Sequence, residues 1–210
     1  MPVIRPSGDT GEADPAVASA LAAYAAGQVA EHAVLAAVAA SRLLVPVVAV
    51  LTAARDDGAE KETEMALPTL IGNDGRKAVI AFTATDTVRR WRADARPVPV
   101  PAQSLWPAVA AEQADAVVID VAGPVPLVIE GARLRALARG APPPLPHQDP
   151  DVRAQVAAVA GDFTLEPGGQ DAELTVTLKG VDPAGARAAA EAIAACLAPR
   201  FRKGIALRLG

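Results

Sequence analysis

Glu60-Lys-Glu-Thr-Glu-Met-Ala-Leu-Pro-Thr-Leu-Ile-Gly-Asn-Asp-Gly-Arg76, then Lys77-Ala-Val-Ile-Ala-Phe-Thr-Ala-Thr-Asp-Thr-Val-Arg-Arg-Trp91, then the exit Ala95-Arg-Pro-Val-Pro-Val-Pro101, carries a strand, a turn, a second strand and a helix in succession. Met65, Leu67 and Ile71 alternate with Ala66, Pro68 and Leu70, the two-residue period of a strand. Asn73-Asp-Gly75 supplies residues that tolerate the positive φ of a tight turn. Lys77 to Phe82 suits a second strand, with Ala78, Ile80 and Phe82 on one face, so the pair reads as an antiparallel hairpin. Pro68 has no N–H to donate, which makes the first strand an edge strand or leaves it unpaired at that point. Thr83-Ala-Thr-Asp86 matches a capping box, with Thr83 as N-cap and Asp86 reaching back. The helix that follows carries Val88 and Trp91 on one face and Arg89, Arg90 and Arg92 on the other. Trp91 is expected to be buried beside Phe82, and the helix must stop before the proline-rich exit.

Working outward, Asp14-Pro15 and Asp182-Pro183 are each an N-cap followed by proline at the first helical position. Val34, Leu35 and Val38 mark a second helix, and Leu43 to Leu51 is apolar on both faces, as a central strand would be. Ser104 to Glu112 reads as a helix, Ala116 to Val121 and Val125 to Ile129 as strands, and Glu130 to Arg139 as a helix. Gly140 to Pro150 holds five prolines and reads as a semi-rigid linker. The organisation expected is a flexible tail over 1–13, a domain over 14–139, a linker over 140–150 and a small domain over 151–210. The class is α/β (α+β): a mixed sheet of five to six strands with flanking helices, plus a C-terminal αββαβ unit.

The Met-Ala-Leu-Pro-Thr-Leu strand, the Asp-Gly-Arg turn, the Ala-Phe-Thr helix start and the Trp followed by Ala-Arg-Pro-Val-Pro together resemble the SseB family, the "enhanced serine sensitivity" proteins and their actinobacterial relatives. The motif Asp120-Val-Ala-Gly-Pro-Val-Pro126 adds to the resemblance, which covers about residues 30–140, the family's N-terminal domain. It implies a link to an amino-acid sensitivity phenotype and supplies no catalytic residues.

Composition narrows the field. The 210 residues are 51% hydrophobic but only 3% aromatic, so the core must be built mainly from Ala, Val and Leu. A net charge of −4 argues against nonspecific nucleic-acid binding, which needs clustered Lys and Arg to neutralise phosphates. The lone cysteine, Cys196, rules out an internal disulfide and any multi-cysteine zinc site, and a reducing cytoplasm is the expected home. Residues 1–9 lack the plan of a signal peptide. Ala33 to Ala54, the most apolar region, is broken by Ser41, Arg42 and Pro46 and reads as helix then strand, not as a membrane span.

Each candidate chemistry has a plainer competitor. Asp56, Asp57, Glu60, Glu62 and Glu64 crowd one loop, but their spacing fits no calcium site and a solvated loop explains them. Nothing local orients His32 or His147 for catalysis. Cys196 sits near a helix C-terminus and reads as a small buried residue. The glycines of Gly72–Gly75 and Gly180–Gly185 match no nucleotide signature. The cations around Trp91 could grip a carboxylate, with Arg76, Arg89 and Arg96 as candidate ligand-binding residues. The reading is therefore a non-catalytic binding or regulatory module that recognises a protein partner. Its expected partner surface combines Glu60, Glu62, Glu64, Asn73 and Asp74. No catalytic residue, metal or cofactor is assigned, neither nucleic acid nor membrane is a partner, and a homo-oligomer is left open. The alternative is an amino-acid or small-metabolite sensor or enzyme tied to serine metabolism, with Arg76 or Arg96 as carboxylate anchor.

Overall fold

The computed structural model describes residues 9–51, 63–66 and 68–210. These residues form two compact units that are not consecutive in sequence. One holds residues 9–18 with Ala40–Glu130, and the other Ser19–Ala39 with Gly131–Gly210. Helix α1 (Pro15–Ala25) starts in the first and ends in the second, and α2 (Glu31–Ala40) belongs almost wholly to the second. The cap-plus-proline start of α1 is formed, with the Ala16 N–H donating to Asp14 Oδ1 at 2.8 Å.

The first unit is built from β1 (Arg42–Leu51), β2 (Thr63–Ala66), β3 (Thr69–Ile71), β4 (Lys77–Ala81), α3 (Thr85–Trp91), β5 (Arg96–Pro101), α4 (Ala102–Ala111), β6 (Ala116–Ile119) and β7 (Leu127–Glu130). Among the described residues the expected α+β class is found, with the strands shared between two sheets. The order β2-β1-β5 is antiparallel throughout; the order β3-β4-β6-β7 is mixed, with β4 and β6 as its parallel pair. Leu44 and Phe82 join the two, each donating its N–H to the other's carbonyl at 2.7 and 2.8 Å. Leu44, Val48, Ile80, Phe82, Val88 and Ala95 pack around that join.

Prolines explain this division. The expected strand from Met65 to Ile71 is interrupted at Pro68, so β2 pairs with β1 while β3 pairs with β4. The exit Pro97-Val-Pro-Val-Pro101 is not a mere terminator but strand β5 itself. Leu44 bonds Phe82 through both its backbone groups, so Leu44 and, by alternation, Arg42 and Pro46 face away from β5. Their partners Pro99, Pro101 and Pro97 face away from β1 in turn. The three missing N–H groups thus fall on the outer edge, where the ladder does not need them.

Two expectations about α3 are corrected. The capping box does not form: Ala84 is the N-cap and makes no side-chain cap bond. The helix begins at Thr85, which leaves Thr83 one residue before the N-cap, and the Thr83 hydroxyl donates to the buried carboxylate of Asp120 at 2.6 Å. Trp91 is half-buried, although its ring does meet Phe82 at 5.7 Å between centroids. The tryptophan fully inside is Trp106 on α4, only 2% exposed.

The second unit holds α2, α5 (Gly131–Ala138), a short 3-10 helix (Pro146–Gln148), α6 (Pro150–Ala157), β8 (Asp162–Pro167), β9 (Leu174–Lys179), α7 (Pro183–Leu197) and β10 (Ile205–Leu209). Its last five elements are the expected αββαβ unit, with strand order β10-β9-β8 and β9 parallel to β10. Val152, Val156, Leu174, Val176, Ile193, Leu197 and Phe201 form its core. Cys196 is exposed, against expectation, because the buried stripe of α7 runs through Ala186, Ala189, Ile193 and Leu197 and leaves position 196 at its rim.

A buried charge network binds the early segment into this unit. Glu31 accepts from Arg133 through Oε1 and from Arg200 through Oε2, the latter at 2.7 Å. Arg200 also donates to Asp149 Oδ2 at 2.6 Å, and Asp149, 0% exposed, caps α6 through the Asp151 N–H. Burial works to lower the Arg200 pKa, but Glu31 and Asp149 outweigh it and raise it. Burial pushes Glu173 up, against the N–H groups of Glu31 and Lys203 that it accepts. Tyr24 is pushed up to about 12, first by burial and then by the nearby Glu31 charge, while its hydroxyl donates to the Arg200 carbonyl at 2.6 Å.

Two stability outcomes follow for urea unfolding followed by circular dichroism. Trp106→Ala should cost about 3–5 kcal/mol, and Trp91→Ala distinctly less; equal costs would contradict the burial difference. Glu31→Ala takes one carboxylate partner from the buried Arg133 and one from the part-buried Arg200 and should cost about 3–5 kcal/mol. A loss below about 1 kcal/mol would place that network outside the forces holding α2 in the second unit.

Candidate functional site

In open α/β sheets ligands gather beyond the carboxyl ends of parallel strands, and the first unit has one such place. Thr83 lies two residues past β4 and Asp120 directly past β6. Asp120 is 4% exposed and has φ +52°, a left-handed conformation that aspartate tolerates better than most residues. The Gly123 N–H closes a turn onto the Asp120 carbonyl at 2.7 Å. The segment Asp120-Val-Ala-Gly123 is therefore a turn that aims a carboxylate inward. It accepts the Thr83 N–H at 2.9 Å, the Thr83 hydroxyl at 2.6 Å and the Thr87 hydroxyl at 2.9 Å.

Arg42, the first residue of β1, extends this cluster. Its Nη1 donates to the Thr83 carbonyl at 2.5 Å. Its Nε and Nη2 grip the Asp9 carboxylate in a two-pronged fork, at 2.7 and 3.0 Å, and Nη2 also donates to the Glu12 carbonyl. The Asp9 carboxylate accepts the Gly11 N–H at 2.8 Å, and the Gly11 carbonyl accepts the Thr85 N–H at 2.7 Å. Residues 9–13 of the segment expected as a tail are thus laid across the ends of β4 and β1. An open depression of about 430 Å³ beside them is lined by Asp9, Glu12, Asp14, Pro15 and Arg42, among others.

The residues singled out from sequence lie elsewhere. Asn73, Asp74 and Arg76 share the exposed β3–β4 turn, where Arg76 pairs with Asp74 and with Glu130 at the end of β7, each at 2.5 Å. These hydrogen bonds raise the Arg76 pKa and lower that of Asp74. Arg89 is exposed on α3 and approaches Asp86 at 3.7 Å; Arg96 is exposed on β5 opposite Val47. The described contacts of Arg76 and Arg89 are with carboxylates, and none brings the three arginines to one point. Glu64 lies in β2 opposite Val50. Glu60 and Glu62, with Asp56 and Asp57, fall outside the described residues. His32 and His147 are half-buried, at the start of α2 and in the 3-10 helix.

Asp9, Arg42, Thr83, Thr87 and Asp120 were missed as a group. Two signals were present: Thr83 and Thr87 are four apart, the spacing of one helix face, and Asp120 ends an apolar strand. Their convergence depends on pairings between β1, β4 and β6 that no local pattern encodes.

Burial works to raise the Asp9 pKa, but the hydrogen bonds from Arg42 and Gly11, with the Arg42 charge, outweigh it and hold the carboxyl below its ordinary 3.8. A lowered folded-state value means that Asp9 stabilises fully above the ordinary value and stops doing so as the pH falls through the lowered one. In an NMR titration the Thr85 N–H and Arg42 Nε–H resonances should therefore hold steady down to about pH 4 and move below it. The Asp9→Asn chain should lose that step; an unchanged step would mean that another group drives it.

A family model described as SseB protein N-terminal domain matches residues 17–136. No curated protein and no solved structure matches the chain. The matched span takes in Ser19–Ala39 of the second unit and the whole of Ala40–Glu130, with the β3–β4 hairpin, the parallel pair and the Asp120 turn. It covers more than half of the 210 residues, and the chain belongs to the SseB family.

Proposed function

We propose that this chain is a non-catalytic binding or regulatory module that recognises a protein partner at the β3 edge. The observation that carries the reading is a contrast between two edges of the first unit. On β5 the outward positions are Pro97, Pro99 and Pro101, which offer no donors to an added strand. On β3 no proline intervenes between Thr69 and Ile71. The Gly72 N–H donates to the Arg76 carbonyl, so by alternation Leu70 faces β4 while Thr69 and Ile71 turn their backbone groups outward. Ile71 is also 75% exposed, an apolar side chain beside an edge that pairs with no other strand among the described residues. An extended segment of a partner could add to that edge, with the side chains around it setting selectivity. Asn73, Asp74 and Arg76 adjoin it, and their charges would tune association rate and partner choice more than affinity.

The alternative, an amino-acid or small-metabolite sensor or enzyme, gains less support at Arg76, because two carboxylates already hold that guanidinium, and keeps the exposed Arg96 as its other anchor. A cytoplasmic setting is part of the proposal and rests on the lone cysteine. So is an actinobacterial kinship, which rests on the motifs alone.

The test is affinity capture from the native cell extract with the wild type, with Ile71→Pro and with a Glu60/Glu62/Glu64 charge reversal, each matched in melting temperature. Ile71→Pro removes an outward donor and leaves the Leu70 bonds to β4 in place. It should abolish or strongly reduce recovery of the partner, and the charge reversal should weaken it. Identical recoveries from all three chains would rule out this edge.

A further inference from the structure

The strap of residues 9–12 is bound as a ligand would be. It contributes one side-chain carboxylate to a guanidinium fork and two backbone carbonyls to donors of the body of the unit. The seat is selective at its centre. Gly11 has φ +77°, and a Cβ there would stand 2.2 Å from the Thr85 hydroxyl oxygen, so no other residue fits without displacement. The Arg42 fork is held for this task on its far side, where Nη1 donates to the Thr83 carbonyl and Asp120 fixes Thr83 through both its N–H and its hydroxyl.

We propose that Asp9-Thr-Gly-Glu12 is an intramolecular stand-in for an acidic peptide segment of a partner protein, of the form Asp-x-Gly-Glu, which binds the Arg42–Thr85 seat when the strap is displaced. Charge complementarity selects the acidic residue: the Arg42 guanidinium matches a carboxylate in plane, two bonds at a time. The Thr85 N–H takes the carbonyl two residues further on, and the crowding at the Thr85 side chain admits only glycine there. The seat lies at the carboxyl end of β4, whereas the Asn73–Arg76 turn lies at its amino end. It therefore stands independently of what pairs with β3.

Tethering sets the competition. A covalently attached strap acts at an effective concentration in the millimolar range, so an incoming segment must outbind it or meet a chain in which it has been loosened. Asp9→Ala removes the carboxylate from the strap and leaves the seat intact.

The experiment uses the full chain and a synthetic peptide of residues 9–14 with blocked ends, followed by NMR at the Thr85 N–H and the Arg42 Nε–H. The Asp9→Ala chain should bind the peptide saturably, returning both resonances towards their wild-type positions, at least ten-fold more tightly than the wild type does. Peptides carrying Asp9→Asn or Gly11→Ala should lose at least ten-fold. Where Asp9→Ala lowers the stability of the chain, Asp9→Asn keeps the side-chain shape and serves in its place. A folded Asp9→Ala chain that binds no better than wild type would overturn the proposal. So would equal binding of the Gly11→Ala peptide, since that peptide cannot occupy the strap's seat. Dimerisation of the wild type that Asp9→Ala abolishes would also overturn it, because the occupant would then be a second copy of this chain.

Discussion

A proline has no N–H to give to a ladder, and the first unit is laid out around that constraint. Pro68 stops one run of strand residues from serving one sheet and hands its two halves to different partners, β1 and β4. Pro97, Pro99 and Pro101 recur with the period of a strand, so their missing donors all fall on the side that has no neighbouring strand among the described residues. Prolines therefore divide the run between the two sheets and remove the outward donors from the β5 edge. The SseB-family motifs that contain these prolines are architectural before they are anything else.

The second constraint is that a buried charge must be matched. Each unit meets it separately. In the first, Asp120 collects three donors from Thr83 and Thr87, and Arg42 divides its donors between the Thr83 carbonyl and the strap. In the second, Glu31 pairs with Arg133 and Arg200, and Arg200 pairs with Asp149, so removing Glu31 or Arg200 would take a charged partner from two others. The two clusters differ in where their described partners come from. The first takes a carboxylate and two carbonyls from residues 9–12, an early segment, whereas the second draws its described partners from α2, α5, the start of α6 and the turn after α7. Binding at the β3 edge and at the Arg42 seat would use opposite ends of β4, one through backbone pairing and the other through an arginine fork.

Much of the fold was legible in the sequence because its signals are local. The turn at Asn73-Asp-Gly75, the cap-plus-proline starts at Asp14 and Asp182 and the apolar run of β1 each depend on residues within a few positions of one another. The same holds for the order of the αββαβ unit and for the motifs of the SseB family. Local patterns misled where a distant partner offered a stronger bond or a different surface. Thr83 has the right neighbours for a capping box, yet the Asp120 carboxylate, 37 positions away, takes its hydroxyl. Proline alternation from 97 to 101 reads as a breaker until β1 lies beside it. Trp91 by its helical spacing, and Cys196 as a small residue near a helix C-terminus, read as interior residues, but which stripe of a helix is covered depends on what packs there.

Family, class, hairpin, helix starts and core composition can be read along the chain, because turns, caps and periodicity are set by the covalent neighbourhood. Which strands share a sheet, that Ser19–Ala39 joins the later half of the chain, and that Asp9, Arg42, Thr83 and Asp120 meet are settled by the folded arrangement alone. One cause underlies each case. A backbone donor or a buried charge accepts whichever partner the whole fold brings within about 3 Å, and no spacing along the chain records that distance.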